Sequence, residues 1–337
     1  MTSAKPTVLV LAHGELLEQI LPDHVRAELE SFATVRYHEL ERKLTEDELV
    51  EAVPEVEAAI TTWGSPRFTA RVVAAAPRLK IIAHAAGSVK PYVEPAALEK
   101  GIVVVGSAEV IAQYVGEMAL LLTLASLREL PRYNQALKQE RRWEVEGFGP
   151  PDTLFRQRVG LVGFGATGRA FASVLKPFEV DLLCFDPHAG AGKMAALGAR
   201  LASLEEILTT CRVISLHAAS VPATEHLINT ERLRLIPDGA ILINTARGAL
   251  IDMKALVEEL KTGRFKAALD VFDPEEPLPP EHPLRDLPNV ILTPHMAGPV
   301  PSRYWEMGRY CVENVRRVCS GQPAIAAITA EQLGWKA

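Results

Sequence analysis

The stretch VGLVGFGATGRAFASVLKPF, residues 159–178, decides how this chain is read. Gly163, Gly165 and Gly168 stand in a G-x-G-x-x-G spacing, after an apolar run that reads as a strand and at the start of a segment with helical period. Alone, that spacing is a weak signal. Here a second apolar run, DLLCFD (181–186), follows the helix and ends in Asp186, 18 residues past the last glycine. Each part has a physical use around a dinucleotide. The glycines let the backbone turn and approach a pyrophosphate, the helix N-terminus offers N–H donors and positive dipole, and the carboxylate accepts from ribose hydroxyls. Gly163, Gly165, Ala166, Thr167, Gly168 and Asp186 are therefore assigned to an NAD cofactor. Asp186 would repel a 2′-phosphate, so NADH is expected over NADPH.

On either side of this stretch the same alternation continues. RVGLVGF (158–164), DLLCFD (181–186), VISLHA (213–218), AILINTA (240–246), KAALDVF (266–272) and VILTPH (290–295) read as six strands. Short apolar runs without polar alternation suit parallel strands covered by helices on both faces. Upstream, VLVLA (8–12), TVRYHE (34–39), AAITTW (58–63), LKIIAHAA (79–86) and IVVV (102–105) alternate with helical segments such as ILPDHVRAELESF (20–32) and TARVVAAAP (69–77), giving five more βα units. Between the two series, EVIAQYVGEMALLLTLASLREL (109–130) is apolar around most of its circumference. It reads as a buried helix of the core, or as one that also serves interdomain and dimer contacts. The charged and then Pro/Gly-broken KQERRWEVEGFGPPD (138–152) reads as a surface connection. The last helix, about 302–319, has nothing left to complete in the second sheet and is expected to pack back on the first. The fold class expected is α/β, two doubly wound parallel-sheet domains, with residues 1–108 and 302–337 forming one and residues 109–301 inserted as the other.

Composition narrows the function. With 337 residues, 48% hydrophobic and 23% charged, the chain has room for two folded domains and is neither disordered nor rod-like. Thirty-six basic against 42 acidic residues give a net charge of −6 with no long basic block, so nucleic acid is not an expected partner. The longest apolar stretch, Met118 to Leu127, is interrupted by Thr123 and Ser126 and falls short of the roughly 20 residues that span a bilayer. No membrane segment or signal peptide is expected, and the protein is placed in the cytoplasm. Cys184, Cys211, Cys311 and Cys319 lack metal or CxxC spacing and read as packed thiols; no metal is expected.

Three later segments carry chemistry. NTARGALID (244–252), DVFDPEEPLP (270–279) and TPHMAG (293–298) place Arg247, Glu276 and His295 just past three apolar strands. In a doubly wound sheet the C-terminal ends of strands meet at the ligand crevice, so the three can converge. Arg247 offers a planar fork to hold a carboxylate and polarise the neighbouring carbonyl. His295 can give a proton to a forming alkoxide or take one from an alcohol, and Glu276 can fix its tautomer. Singly, each has a bland alternative: a structural histidine, a surface ion pair, a solvated loop acid with Glu275 as its rival. Asp270 is either core-buried or placed beside the nicotinamide, where its charge would favour the oxidised ring; the second reading is carried forward. His217, ending the strand after Asp186, would face the adenosine half. Thr245 and Ala246 beside Arg247, and Ala297 and Gly298 after His295, are also expected at the cofactor. His13, His84 and Glu109 read as structural.

With these motifs in this order, VGLVGFGATGRA, SLHAASVPATEHLIN (215–229), NTARGALID, ALDVFDPEEPLP and TPHMAG, the chain resembles the D-isomer-specific 2-hydroxyacid dehydrogenase family over nearly its whole length. The resemblance implies a discontinuous flavodoxin-like substrate domain, an inserted Rossmann NAD-binding domain, a cleft between them and a homodimer. It matches Arg247 to the substrate-binding arginine, Glu276, directly before the Pro of E-P-L-P, to the acid partner, and His295 to the proton donor. It also matches Ala86, Gly87 and Ser88 to the turn whose N–H groups grip the substrate carboxylate. Two departures bear on the substrate. Lys90 stands where an Asp is expected, either as a harmless structural replacement or as a charge for a second anionic or polyhydroxylated substrate end, and Met118 stands where a His is frequent. No further domain is expected after Ala337, and hence no serine feedback. The activity implied is NAD-dependent interconversion of a 2-oxo acid and a D-2-hydroxy acid. The alternative is an NAD(H)-sensing, corepressor-like interaction protein; a formate dehydrogenase reading is weaker, because Glu276 stands where those enzymes place Gln.

Overall fold

The computed structural model describes residues 5–38, 42–143 and 150–335. The middle of the expected connection 138–152 and the last residue of the expected strand 34–39 lie outside the described residues. The chain divides into two compact units, residues 1–111 with 299–337, and residues 112–298.

The first unit holds a parallel sheet of β1 (Thr7–Val10), β2 (Thr34–Tyr37), β3 (Ala58–Thr61), β4 (Ile81–His84) and β5 (Val103–Gly106). Their order is β2-β1-β3-β4-β5, the flavodoxin-like winding. Successive side chains alternate between two apolar layers. Val8, Val10, Ala58, Ile60, Ile81 and Ala83 face a cluster completed by Met307, Cys311, Val312 and Val315 of the helix Tyr304–Cys319. Leu9, Ala59, Ile82 and Val104 face the other cluster, with Leu49, Val72 and Ala97. The late helix thus completes this unit's core. Its Gly308 meets the Gly14–Ile20 helix so closely that a Cβ there would lie 1.9 Å from the Ile20 carbonyl oxygen.

The second unit holds β6 (Arg158–Val162), β7 (Asp181–Phe185), β8 (Ala199–Leu201), β9 (Val213–Leu216), β10 (Ile241–Asn244), β11 (Lys266–Leu269) and β12 (Val290–Leu292). All pair in parallel, in the order β12-β11-β10-β9-β6-β7-β8. The expected six strands are seven. The unexpected β8 has three residues, sits at the edge and exposes two of them, so it carries no apolar run. Strand order reverses at β6, which places a crevice beyond its C-terminal end, where the glycine turn lies.

The helix Ala108–Leu127 leads from one unit to the other. Its ten-residue apolar tract is part of a twenty-residue helix of mean hydropathy 1.6, long and apolar enough by composition to cross a membrane, which corrects the reading of its length. Half its residues are buried in the protein instead, among them Val115, Met118 and Leu122. It stops short of the expected 130, since Pro131 cannot continue it: Glu129 turns left-handed (φ 54°) and a new helix, Leu130–Gln135, begins. At that break the largely buried Glu129 carboxylate pairs with Lys266, the first residue of β11. Removing one member of such a pair strands the other charge, at a cost of about 3–5 kcal/mol. Lys266→Met should lower the urea midpoint accordingly; an unchanged midpoint would show that the pair contributes nothing.

Candidate active site

Each glycine of the turn after β6 has its own reason. Gly163 has φ +102°, and a Cβ on it would lie 2.6 Å from the Ala218 nitrogen. A Cβ on Gly168 would lie 2.3 Å from the Gly163 oxygen, so only glycine lets the helix Ala166–Leu175 start this close to the strand. Gly165 caps that helix and has nothing within 4 Å of its Cβ position. Protein packing does not demand glycine there, whereas close approach by a phosphate does. Asp186, just past β7, is the anchor of the same turn. One carboxylate oxygen accepts from the Phe164 N–H at 2.6 Å, the other from the His188 and Ala189 N–H groups at 2.7 and 3.0 Å. Beside it opens a cavity of about 540 Å³, lined in part by Phe185, Asp186, Pro187, Leu201 and Glu206. A bare helix start, open space over Gly165 and an acid at the rim of an adjacent cavity fit an NAD with its pyrophosphate on the helix and its adenosine by Asp186. Ala166 and Thr167, both half-buried, form the first turn of that helix.

His217 is expected to face the adenosine half, but its ring is inside. It is 5% exposed, 5.4 Å from the Phe171 ring of the Ala166–Leu175 helix, with Nε2 hydrogen bonded to Ser215 at 2.9 Å. Ser215 and His217 are two apart on an extended segment and share the face that the helix covers. Burial drives the imidazole pKa down to about 3.

The other three strand ends carry the polar groups singled out in the sequence. After β10, the buried Asn244 side chain donates to the Arg247 carbonyl (2.9 Å) and accepts from the Ala246 N–H (3.0 Å), bracing the turn that presents Arg247. Gly248 lets that turn abut the next strand end, since a Cβ there would lie 2.1 Å from the Phe272 carbonyl carbon. The Arg247 guanidinium is accessible, yet the protein around it desolvates it enough to lower its pKa, while the nearby Glu276 charge raises it. Its internal partner is the Ala246 carbonyl, at 2.6 Å, and among the described residues no carboxylate occupies its fork. Thr245 is buried, with a hydroxyl that meets no partner among the described residues.

Glu276 accepts the Phe272 N–H on one oxygen (2.7 Å) and holds His295 Nδ1 on the other (2.7 Å). A carboxylate can only accept, so Nδ1 carries the proton and Nε2 is left as the exchangeable position. His295 is left-handed, φ 51°, a costly conformation for a histidine that its surroundings fix. Its N–H donates to the Asp270 carbonyl at 2.9 Å. The Asp270 carboxylate, with zero exposure, accepts from Thr293 Oγ1 (2.5 Å), Met296 N–H (2.9 Å) and Ala297 N–H (2.8 Å). Of the two readings of Asp270 the buried one holds: its charge is consumed in shaping the 293–297 loop. Gly298 follows with open space around it. Asn244, Gly248 and Thr293 escaped the sequence reading, although the first two flank Arg247 within its own motif.

In the first unit, Ala85–Ser88 cross the C-terminal end of β4. Among the described residues, the N–H groups from Ala86 through Lys90 meet no acceptor in the chain. Ala86 is buried, and Gly87, Ser88 and Lys90 are half-buried. Such a row of free donors attracts an anion. Met118 is buried in the Ala108–Leu127 helix.

A seven-stranded parallel sheet wound around a glycine turn of this kind is the nucleotide half of an NAD-binding oxidoreductase fold. Residues 120–297 match the family model for the D-isomer specific 2-hydroxyacid dehydrogenase NAD binding domain, and the chain belongs to that family. It is 33% identical over 300 residues to a hydroxypyruvate reductase of Thermotoga maritima, covering 87% of this chain and 96% of that one. It is 32% identical over 325 residues to a D-3-phosphoglycerate dehydrogenase of Synechocystis sp., covering 96% of this chain but 58% of the relative. The chain spans little more than half the length of the phosphoglycerate dehydrogenases it matches. A solved phosphoglycerate oxidoreductase from Rhizobium etli superposes with TM-score 0.82 at 28% identity, covering 96% of this chain and 98% of that one.

The buried imidazoles make stability depend on pH. His84, like His217, is held neutral by burial, its pKa lowered to about 4. Unfolding returns both to about 6.5, so the unfolded chain takes up protons that the folded one refuses. The stability they permit is complete above about pH 6.5 and declines as pH falls toward 4. The melting temperature should drop over that window, and His217→Gln should flatten the drop. A variant as pH-sensitive as the parent would remove His217 from the account.

Proposed function

We propose that the protein is an NAD-dependent oxidoreductase that interconverts a 2-oxo acid and a D-2-hydroxy acid. The observation that carries the reading is the 2.7 Å contact of His295 Nδ1 with Glu276, beside an Arg247 whose fork no carboxylate fills among the described residues. Arg247 binds the substrate carboxylate bidentately and draws electron density from the adjacent carbonyl. His295 delivers the proton from Nε2 to the forming alkoxide, and in the reverse direction accepts it from the alcohol. Glu276 keeps the imidazole in that tautomer. In the first unit, the free N–H row from Ala86 to Ser88 suits an anionic group such as a carboxylate. Bound NADH supplies the hydride. The residues that would hold it are Gly163, Gly165, Ala166, Thr167 and Gly168 at the pyrophosphate and Asp186 at the ribose, with Thr245, Ala246, Ala297 and Gly298 at the strand ends nearby.

Asp186 and Glu206, two acids on the adenosine-side cavity, support NADH over NADPH. The names of the relatives support a small 2-oxo or 2-hydroxy acid as substrate, and a cytoplasmic homodimer completes the reading. A sensing role without turnover has no observation of its own in its favour.

The test is NADH oxidation at 340 nm with glyoxylate, hydroxypyruvate, pyruvate, phenylpyruvate and phosphohydroxypyruvate. Turnover with one of them is expected; tight NADH binding without turnover would shift the reading to sensing. His295→Ala should lower kcat roughly 10²–10⁴-fold, the usual worth of a positioned acid or base, with NADH affinity within a few-fold of the parent. An almost unchanged kcat removes His295 from the chemistry. Asp186→Ala should narrow the preference for NADH over NADPH, and a constant ratio of the two affinities would sink the ribose assignment.

A further inference from the structure

One buried titratable group has no part in the reaction described above. His84 is the last residue of β4 and stands immediately before the loop that carries the free N–H row. It is fully buried, and Nδ1 is hydrogen bonded to the Thr61 hydroxyl of β3 at 2.8 Å. Its ring lies 4.4 Å from that of Tyr92, tilted by only 33°. Nε2 is buried with no partner among the described residues, as is His217 Nδ1.

The position of Tyr92 gives the contact its meaning. Tyr92 ends the same loop: its N–H donates to the Val89 carbonyl, its carbonyl accepts from Phe68 at 2.7 Å, and its hydroxyl accepts from the Gly64 N–H at 3.3 Å. His84 and Tyr92 are therefore the two feet of one loop, with the row of free donors between them. Among the described residues, the backbone from Gly87 through Lys90 donates no hydrogen bond, and Lys90 makes no ion pair or side-chain hydrogen bond. The loop is held by the insertion of Val89, 3% exposed, into the core, by the Ala85 and Ala86 carbonyls, which accept from Thr62 Oγ1 (3.2 Å) and the Ser107 N–H (3.0 Å), and by the ring contact across its base.

We propose that His84 and Tyr92 form an aromatic staple across the base of the 85–92 loop, and that this staple sets the spacing of the Ala86–Ser88 N–H groups and hence the affinity for the substrate carboxylate. Both are positioning residues, since neither need touch substrate. The Thr61 hydroxyl fixes the rotation of the imidazole. The assignment rests on the 2-oxo acid reading of the site, in which those N–H groups bind a carboxylate.

The experiment compares Tyr92→Phe, which keeps the ring, with Tyr92→Leu, which removes it, and His84→Phe with His84→Asn in the same sense. Steady-state kinetics would use the best 2-oxo acid of the panel, NADH affinity would be measured by fluorescence, and hydrogen exchange would follow the peptide covering 85–93. Losing the ring pair should raise KM for the 2-oxo acid roughly tenfold, the scale of one aromatic pair, and speed exchange in the loop. Values of kcat and NADH affinity should stay within a few-fold, and Tyr92→Phe should behave as the parent. A lowered melting temperature with KM and exchange unchanged in Tyr92→Leu would reduce the pair to core packing and overturn the proposal. If the parent turns over no 2-oxo acid, the functional reading fails by itself. Hydrogen exchange still decides the staple in that case, and equal exchange in Tyr92→Leu and parent overturns it.

Discussion

A carbonyl oxygen with no room above it governs the larger sheet: the Gly163 oxygen lies 2.3 Å from where a Gly168 side chain would begin. Because that space stays empty, the helix after β6 starts directly over the strand end, and its first N–H groups are presented at the point where strand order reverses. The Phe164 N–H, turned outward by the same bend, is taken by Asp186. The same device recurs at Gly248 against Phe272, where it brings the Arg247 turn against the strand end that leads to Glu276. Close backbone contacts thus set the positions of the side chains that carry the chemistry.

Charge is arranged around those contacts with two different outcomes. Asp270 is wholly buried and fully hydrogen bonded, so its charge orders a loop and holds His295 in a left-handed conformation. Glu276, seven residues beyond the end of β11, keeps one oxygen on the backbone and gives the other to the imidazole. Arg247 is left as the cation of the group without a carboxylate of its own. A site for an anionic substrate needs that imbalance, and the pairing of Glu276 with histidine rather than arginine preserves it.

The legible part of the fold was the part with a local signature. Apolar runs of four to six residues marked eleven of the strands, and the glycine spacing with Asp186 marked the cofactor turn, because the backbone conformation itself demands those residues. Arg247, Glu276 and His295 were legible as strand-end residues within motifs, although no local rule says that Glu276 rather than Glu275 meets the imidazole. The edge strand β8 was not legible, since its side chains are mostly exposed. The end of the helix at Leu127 could have been inferred from Pro131.

Other features depend on which face of an element a neighbour covers, and no periodicity encodes that. The sequence placed His217 at a strand end; only packing against the Ala166–Leu175 helix turned its ring inward. It placed His84 before a loop; only the return of the chain at Tyr92 set the two rings together. The sequence by itself thus determined two parallel α/β units, the dinucleotide turn and which polar residues stand at the strand ends, because those follow from backbone sterics and the placement of strand ends. The tertiary structure decided which polar groups are free to react and which are consumed inside, because burial and hydrogen-bond saturation are properties of neighbours brought together from distant parts of the chain.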